Sequence, residues 1–358
     1  MRNEMTRRGF IGGAAAFAAM GLRPVFAEDD SPALRAGKEW FRTAQFGMMA
    51  HFGLYTLLGG EWKGKNGTHP YGEWIMHSER IPLKDYSALA AAFNPILFDP
   101  LDWMKRARDA GMKYFVITSK HHDGFALFRS KVSKYNVVDS TPFRRDIIGE
   151  IAEACRATGV KLGLYYSQDL DWSEPNGGGY EVTWHEHGTG RDIGRKWGND
   201  WDWPQLRDYD FDRYLHTKAV PQLDEILTQY GELCLVWFDV PVTMTPAQSR
   251  ELRDLVRRRQ PGCLVSGRIG NDLGDYFTPG DNAIAEKTEA GRLYETVGTM
   301  NDSWGYRPTD TNYRSVAEIK AIRVKCAAIG SNYMLNVGPD PLGRFPVAAL
   351  DILKGLQV

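Results

Sequence analysis

A chain of 358 residues can hold one large domain or two modest ones. Its 43% hydrophobic and 25% charged content is ordinary for a globular protein, and a formal net charge of −1 gives no electrostatic ground for a nucleic-acid or other polyanion partner. Eleven Trp and sixteen Tyr suit a sugar-binding cleft lined with flat aromatic faces, although the same residues also fill cores.

The first 27 residues read as a targeting segment rather than as part of the fold. Thr6-Arg7-Arg8-Gly9-Phe10-Ile11 is a twin-arginine pattern, an apolar run follows from Ala14 to Leu22, and Val25-Phe26-Ala27 offers small residues at a cleavage position. The apolar run is too short to span a bilayer. These features predict a signal over residues 1–27, a domain over residues 28–358, a periplasmic or secreted location, and no membrane span once the signal is removed. Cys155, Cys234, Cys263 and Cys326 lie apart from one another in apolar patterns and are expected to be buried free thiols.

From Phe46 onward the chain alternates apolar strands with amphipathic helices. Residues 46–53 form a first strand ending near His51, and a Gly-rich aromatic loop follows to about Glu79. Asp99-Pro100 opens a helix that stops at Gly111, residues 113–119 form a buried strand, and residues 144–158 form a helix stopped by Gly159. Residues 161–167 are a strand, 168–208 a long polar and aromatic loop, and 210–230 a helix. Cys234-Leu235-Val236-Trp237-Phe238-Asp239-Val240 is a strand buried on both faces. Thr245-Pro246 opens a helix ending before Pro261; strands are expected at 264–268, 293–297 and 333–337, and helices from Ser315 to Gly330 and from residue 347. Seven or so such units at this length predict a (β/α) barrel of the TIM type, with an open doubly wound sheet as the alternative. Residues 57–98 show no clear helix-then-strand unit, so the barrel is expected to be irregular or incomplete.

The polar residues follow the strands, where a barrel keeps its site. An unpaired carboxylate inside the 234–240 strand would cost several kcal/mol, which places Asp239 at the strand's C-terminal end, with Trp237 on the same face. His51, Glu73-Trp74, His121-His122, Tyr165-Tyr166 and Arg268 follow other strands and would converge on the same face. The set fits glycoside hydrolysis, which needs two carboxyl groups flanking the bond and neutral donors and acceptors for sugar hydroxyls. No His-x-His follows the first strand, so a metal site is disfavoured.

His51-Phe-Gly, Glu73-Trp74, His121-His122-Asp-Gly-Phe125, Tyr165-Tyr166-Ser167, Trp237-Phe-Asp239, residues 301–306 and residues 335–339 together resemble glycoside hydrolase family 29, the α-L-fucosidases, over nearly all of residues 38–350. The resemblance implies a (β/α) barrel and a retaining double displacement on a fucosylated oligosaccharide or glycoconjugate, without metal or cofactor. It implies Asp239 as nucleophile, His51, Glu73, His121, His122 and Tyr166 as holders of the fucose hydroxyls, Trp74 and Trp237 as the apolar wall, and Arg268 beside the acid/base loop. Tyr166 is chosen over Tyr165 because it shares a face with Leu162 and Leu164. The acid/base departs from the common pattern: Asp281 is the first choice, Glu295 the second, with Glu286 and Glu289 behind them. Ile75 stands where the family often has Tyr, and Val240 where it often has Gly. The β-sandwich that often follows the barrel is missing and the sequence stops within a helix, as in a fragment or a minimal form. The alternatives are a fucose-binding barrel without turnover and an exo-glycosidase for another deoxy or galactose-like sugar.

Overall fold

The computed structural model describes residues 31–180, 197–204, 208–286 and 288–357. The expected signal at residues 1–27 and part of the 168–208 loop lie outside these. Eight parallel strands make one sheet: β1 Phe46–Ala50, β2 Tyr114–Lys120, β3 Lys161–Tyr166, β4 Leu235–Phe238, β5 Leu264–Val265, β6 Tyr276–Phe277, β7 Leu293–Thr299 and β8 Ser331–Val337. Their spatial order is β5-β4-β3-β2-β1-β8-β7-β6. The two ends meet at a thin seam, where a parallel bridge joins Ser266 to Tyr276 and the Asp275 amide donates to the Val265 carbonyl at 2.7 Å. The result is a nearly closed (β/α) barrel.

Helices cover the outside because each connection between parallel strands must cross over the sheet. Pro32–Ala44 (α1) precedes β1, capped by Ser31, whose side chain accepts from the Leu34 amide. Pro100–Asp109 (α2), Ile147–Thr158 (α3), Val220–Gln229 (α4), Pro246–Arg259 (α5), Val316–Ala328 (α6) and Val347–Leu356 (α7) follow. The helix expected over 210–230 is present but widens into a π turn at Leu215–Ala219, just before Pro221, which has no amide proton to donate. The irregularity foreseen for the barrel lies in two places. Short helical turns and a two-stranded hairpin, Glu61–Trp62 with Lys65–Asn66, occupy the 57–98 region, and among the described residues only the 3-10 turn Gly267–Ile269 lies between β5 and β6.

Alternation along each strand separates two cores. Met49, Tyr114, Val116, Tyr165, Leu235, Trp237, Tyr276, Val297 and Met334 point into the barrel. Met48, Phe115, Ile117, Leu162, Leu164, Tyr166, Val236 and Leu335 pack in the layer shared with the helices. Helix α1 plugs the N-terminal end, with the Phe41 ring stacked on Tyr276 at 4.7 Å. Large inward rings fit because small residues face them. A Cβ on Gly47 would stand 2.4 Å from the Tyr114 ring, and that ring is anchored by a 2.6 Å hydrogen bond from its hydroxyl to Glu295. All four cysteines are buried and free.

Replacing Gly47 by Ala is therefore expected to overpack the barrel and displace Tyr114 from Glu295. Thermal or urea unfolding should show a loss of about 1–3 kcal/mol; a variant as stable as the parent would mean that the interior can give way at this layer.

Candidate active site

Strand ends and the loops after them deliver side chains to a cavity with about 290 Å³ of empty space, open to solvent, lined by Met49, His51, Glu73, Trp74, His121, Trp237, Asp239, Arg268, Asp281 and Trp304. His51 follows β1, and its Nδ1 lies 2.7 Å from the side-chain oxygen of Asn336 on neighbouring β8. The β2–β3 register shifts between Thr118 and Lys120. Lys120 lies beneath the outward Tyr166 ring at 4.9 Å, and His121 lies in the cavity wall. The His122 Nδ1 is 2.6 Å from the Ser167 hydroxyl, and its Nε2 is 3.6 Å from Asp239 Oδ2. Larger depressions, of about 830 and 700 Å³, open beside Lys161, Glu232 and Cys234 at the opposite end of the strands. In barrels that end serves stability rather than chemistry.

Asp239, just past β4, is the hub. Its Oδ1 accepts from Arg268 Nη1 at 2.9 Å, and its Oδ2 accepts from the Tyr165 hydroxyl at 2.9 Å. Its amide donates to the Gln168 side chain at 3.0 Å. The same Arg268 guanidinium donates through Nη2 to Asp281 Oδ1 at 2.5 Å and lies 4.8 Å from the Trp237 ring centroid. Asp239 and Asp281 thus stand within the span of one guanidinium. Asp239 is nearly buried, whereas the Asp281 side chain is 36% exposed and stands at the mouth.

Burial sets the protonation of the remaining wall. It pushes the His51 imidazole down to about 4 against the Asn336 hydrogen bond and the nearby Asp239, and it lowers His121 and His122 well below the usual imidazole range. All three rings are neutral at pH 7 and can serve as hydroxyl partners. His121 Nδ1 is buried without a hydrogen-bond partner among the described residues. Burial also pushes the Glu73 carboxyl up to about 8, although the Gly305 amide donates to its Oε2 at 2.7 Å. Glu73 is therefore largely protonated at neutral pH, and can donate as well as accept.

Two expectations need correction. Tyr166 is not at the cavity: its hydroxyl donates to Gln222 at 3.0 Å in the layer beneath the helices. Tyr165 faces inward instead, fully buried outside the lining, with its hydroxyl on Asp239, because Leu162, Leu164 and Tyr166 share the outward face of β3. Glu295, the second choice for acid/base, does not line the cavity. It lies inside the barrel, fully buried, accepting from Tyr114 at 2.6 Å and from the Trp237 indole at 2.9 Å. Burial pushes it up to about 7, and its place is that of a support under the Trp237 wall. Glu286 and Glu289 are likewise absent from the lining. Trp304 and Asn336 had not been singled out as site residues, although both lie within the motifs at 301–306 and 335–339. Among the described residues no group of three or more His, Cys, Asp or Glu side chains is arranged to hold a metal ion.

The α-L-fucosidase family profile matches residues 23–357. The chain is similar to the unliganded α-L-fucosidase AlfC of Lactobacillus casei, with 46% identity and a TM-score of 0.83 over 90% of this chain and 97% of that one. It is also similar to an α-L-fucosidase of Vibrio sp. strain EJY3, with 33% identity and a TM-score of 0.82 over 90% of this chain and 54% of that one. The tissue α-L-fucosidase of Rattus norvegicus is 28% identical over 371 residues, 96% of this chain and 74% of that protein.

The buried carboxyls predict how stability varies with pH. Folded Glu73 and Glu295 retain protons that the unfolded chain has already released, so the stability tied to their protonated forms is lost as pH rises through about 7 and about 8. The depressed histidines act in the opposite sense, but mainly below about pH 6.5, where unfolded imidazoles take up protons. The melting temperature should fall between pH 6.5 and pH 8. Glu295→Gln, which keeps an uncharged hydrogen-bonding group, should flatten that fall by up to about 1 kcal/mol per pH unit. Parallel slopes in the two proteins would remove Glu295 from this account.

Proposed function

The chain belongs to the α-L-fucosidase family, and we propose that Asp239 and Asp281 are the nucleophile and the acid/base of its retaining hydrolysis of terminal α-L-fucosyl linkages. One observation carries the assignment: a single guanidinium, Arg268, joins these two carboxylates across a cavity at the C-terminal ends of the strands. Glycoside hydrolysis by double displacement requires such a pair, one on each side of the scissile bond. The presence of Asp281 in the lining supports this reading over a binding barrel that lacks an acid.

An Asp239 carboxylate oxygen attacks the anomeric carbon and the bond to the leaving oxygen breaks. That oxygen takes a proton from Asp281. Because Arg268 donates to Asp281 Oδ1, the proton is carried on Oδ2, or the pair opens as substrate enters. Water then attacks the anomeric carbon of the covalent fucosyl-enzyme, Asp281 takes its proton, the bond to Asp239 breaks to restore the carboxylate, and α-fucose leaves with its configuration retained. Tyr165 and Arg268 fix the Asp239 carboxylate, while neutral His51, His121 and His122, together with protonated Glu73, are suited to bind the fucose hydroxyls. Another structure of AlfC is in complex with Fucα(1,6)GlcNAc, and that disaccharide is the first substrate to try here.

Azide separates the two roles. Asp239→Ala should lose on the order of 10⁴-fold in turnover of an aryl α-fucoside, and azide should then yield the inverted β-fucosyl azide. Asp281→Ala should be rescued with retention, giving α-fucosyl azide. If Glu295→Ala rather than Asp281→Ala gives the retained azide, the acid/base role passes to Glu295.

We propose also that the chain is exported. Arg7-Arg8, the apolar run from Ala14 to Leu22 and the small residues ending at Ala27 support twin-arginine transport of the folded protein. Replacing both Arg7 and Arg8 by Lys should leave fucosidase activity in the cytoplasmic fraction. Unchanged periplasmic activity in that variant would dismiss the signal.

A further inference from the structure

Val240 immediately follows Asp239 and has φ 48°, a left-handed conformation that a β-branched residue rarely adopts. Such strain costs about 1–3 kcal/mol and persists only where the surroundings impose it. They do so here. Asp169 accepts through Oδ2 from the amides of Thr243 and Met244, at 2.5 and 3.0 Å. The Gly179 amide donates to the Thr243 hydroxyl at 2.8 Å, and Gly178 sits so close that a Cβ there would fall 1.7 Å from Asp169 Oδ1. The loop after β4 is thus clamped to the loop after β3.

The clamp assembles a small apolar cluster of Leu170, Val240 and Val242, against which two half-buried tryptophans, Trp74 and Trp197, pack. Their rings meet edge to face, with centroids 5.9 Å apart. Trp74 also lines the catalytic cavity, whereas Trp197 does not, so the cluster adjoins the cavity through Trp74. The catalytic cavity is the smallest of the three described, with about 290 Å³ of empty space against about 700 and 830 Å³. A second sugar ring must then lie outside it.

We propose that Trp197, set against Trp74 on the Leu170–Val240–Val242 floor, receives the apolar C–H face of the leaving-group sugar. This is a specificity surface separate from the polar groups that hold the fucose. The proposal rests on the fucosidase activity, and its test keeps the two distinguishable.

The test compares kcat/KM for Fucα(1,6)GlcNAc with that for α-L-fucosyl fluoride, whose leaving group is too small to reach Trp197. In Trp197→Ala the ratio of disaccharide to fluoride should fall about tenfold or more. The same direction is expected in Val240→Gly, where glycine adopts the left-handed turn without a Cβ penalty and folding is spared. The double variant should lose less than the product of the two, since both act on one bound ring. A ratio within twofold of the parent in both variants, or a loss shared equally by the two substrates, overturns the proposal. So does a parent that hydrolyses the fluoride and not the disaccharide. A parent inactive on the fluoride would overturn the fucosidase assignment itself, and this inference with it.

Discussion

The Arg268 guanidinium holds the site in its geometry. It reaches Asp239 with one nitrogen and Asp281 with another, and it lies over the Trp237 ring. A planar fork can satisfy two carboxylates at once in a way that a lysine ammonium cannot, and aromatic stacking fixes its plane. Everything beneath it keeps that plane in place. Trp237 is held through its indole nitrogen by Glu295, and Glu295 by the Tyr114 hydroxyl, so a chain of hydrogen bonds runs down the barrel axis from the ring on which Arg268 lies. Such chains are strong when every member is satisfied and costly when one is lost. This explains why a carboxyl as deeply buried as Glu295 sits in a barrel interior without lining the cavity.

The seam of the barrel lies next to this chain. Strands β5 and β6 are two residues each, and Arg268 leaves β5 on a 3-10 turn rather than on a long strand. Short strands there let the chain turn early, bringing Arg268 over Trp237. The gap between the short strands is bridged by an ion pair: Arg257 of α5 donates to both oxygens of Asp275 at 2.6 Å, and Asp275 also accepts from the Val265 amide at 2.7 Å. The part of the sheet with the fewest ladder bonds is thus joined by charge-assisted ones.

The sequence made some of this plain and hid the rest for physical reasons. Asp239 was legible because a carboxylate ending an apolar strand has few acceptable positions. The strand and helix pattern was legible in many of the long elements, as in β2, β8 and α5. Helix α1 was passed over, and β6 was missed because two residues carry no periodicity. The choice between Tyr165 and Tyr166 failed for another reason. Both faces of a barrel strand are apolar, so alternation says which residues share a face but not which face turns inward. On β3 the inward face carries Gly163 and Tyr165, while Leu162 and Leu164 face the helices. That contrast was the usable signal. Asp281 and Glu295 could not be separated along the chain, because the distinction between mouth and axis exists only in three dimensions.

Behind the catalytic wall lies a second set of charges that touches no part of the cavity. Lys120 and Lys218 flank Asp171, their ammonium groups 2.9 and 3.0 Å from one carboxylate oxygen, and all three residues are buried. Burial alone would raise the Asp171 carboxyl, but the two cations hold it well below the usual range. Replacing such a cluster by apolar residues is often no loss to stability, so its value has to be sought in placement. The next residue, Trp172, donates its amide to the His122 carbonyl at 2.7 Å, and Ser167, whose hydroxyl meets the His122 ring, donates its amide to the Lys120 carbonyl at 3.0 Å. The imidazole nearest to Asp239 is therefore fixed from two sides by a loop that the charges pin to the outer face of β2. Apolar packing would tolerate a small slide of that loop, and a carboxylate between two ammonium groups does not. Catalysis depends on reacting groups held to within a fraction of an ångström, and this cluster sits where such a slide would first reach His122 and, through it, Asp239.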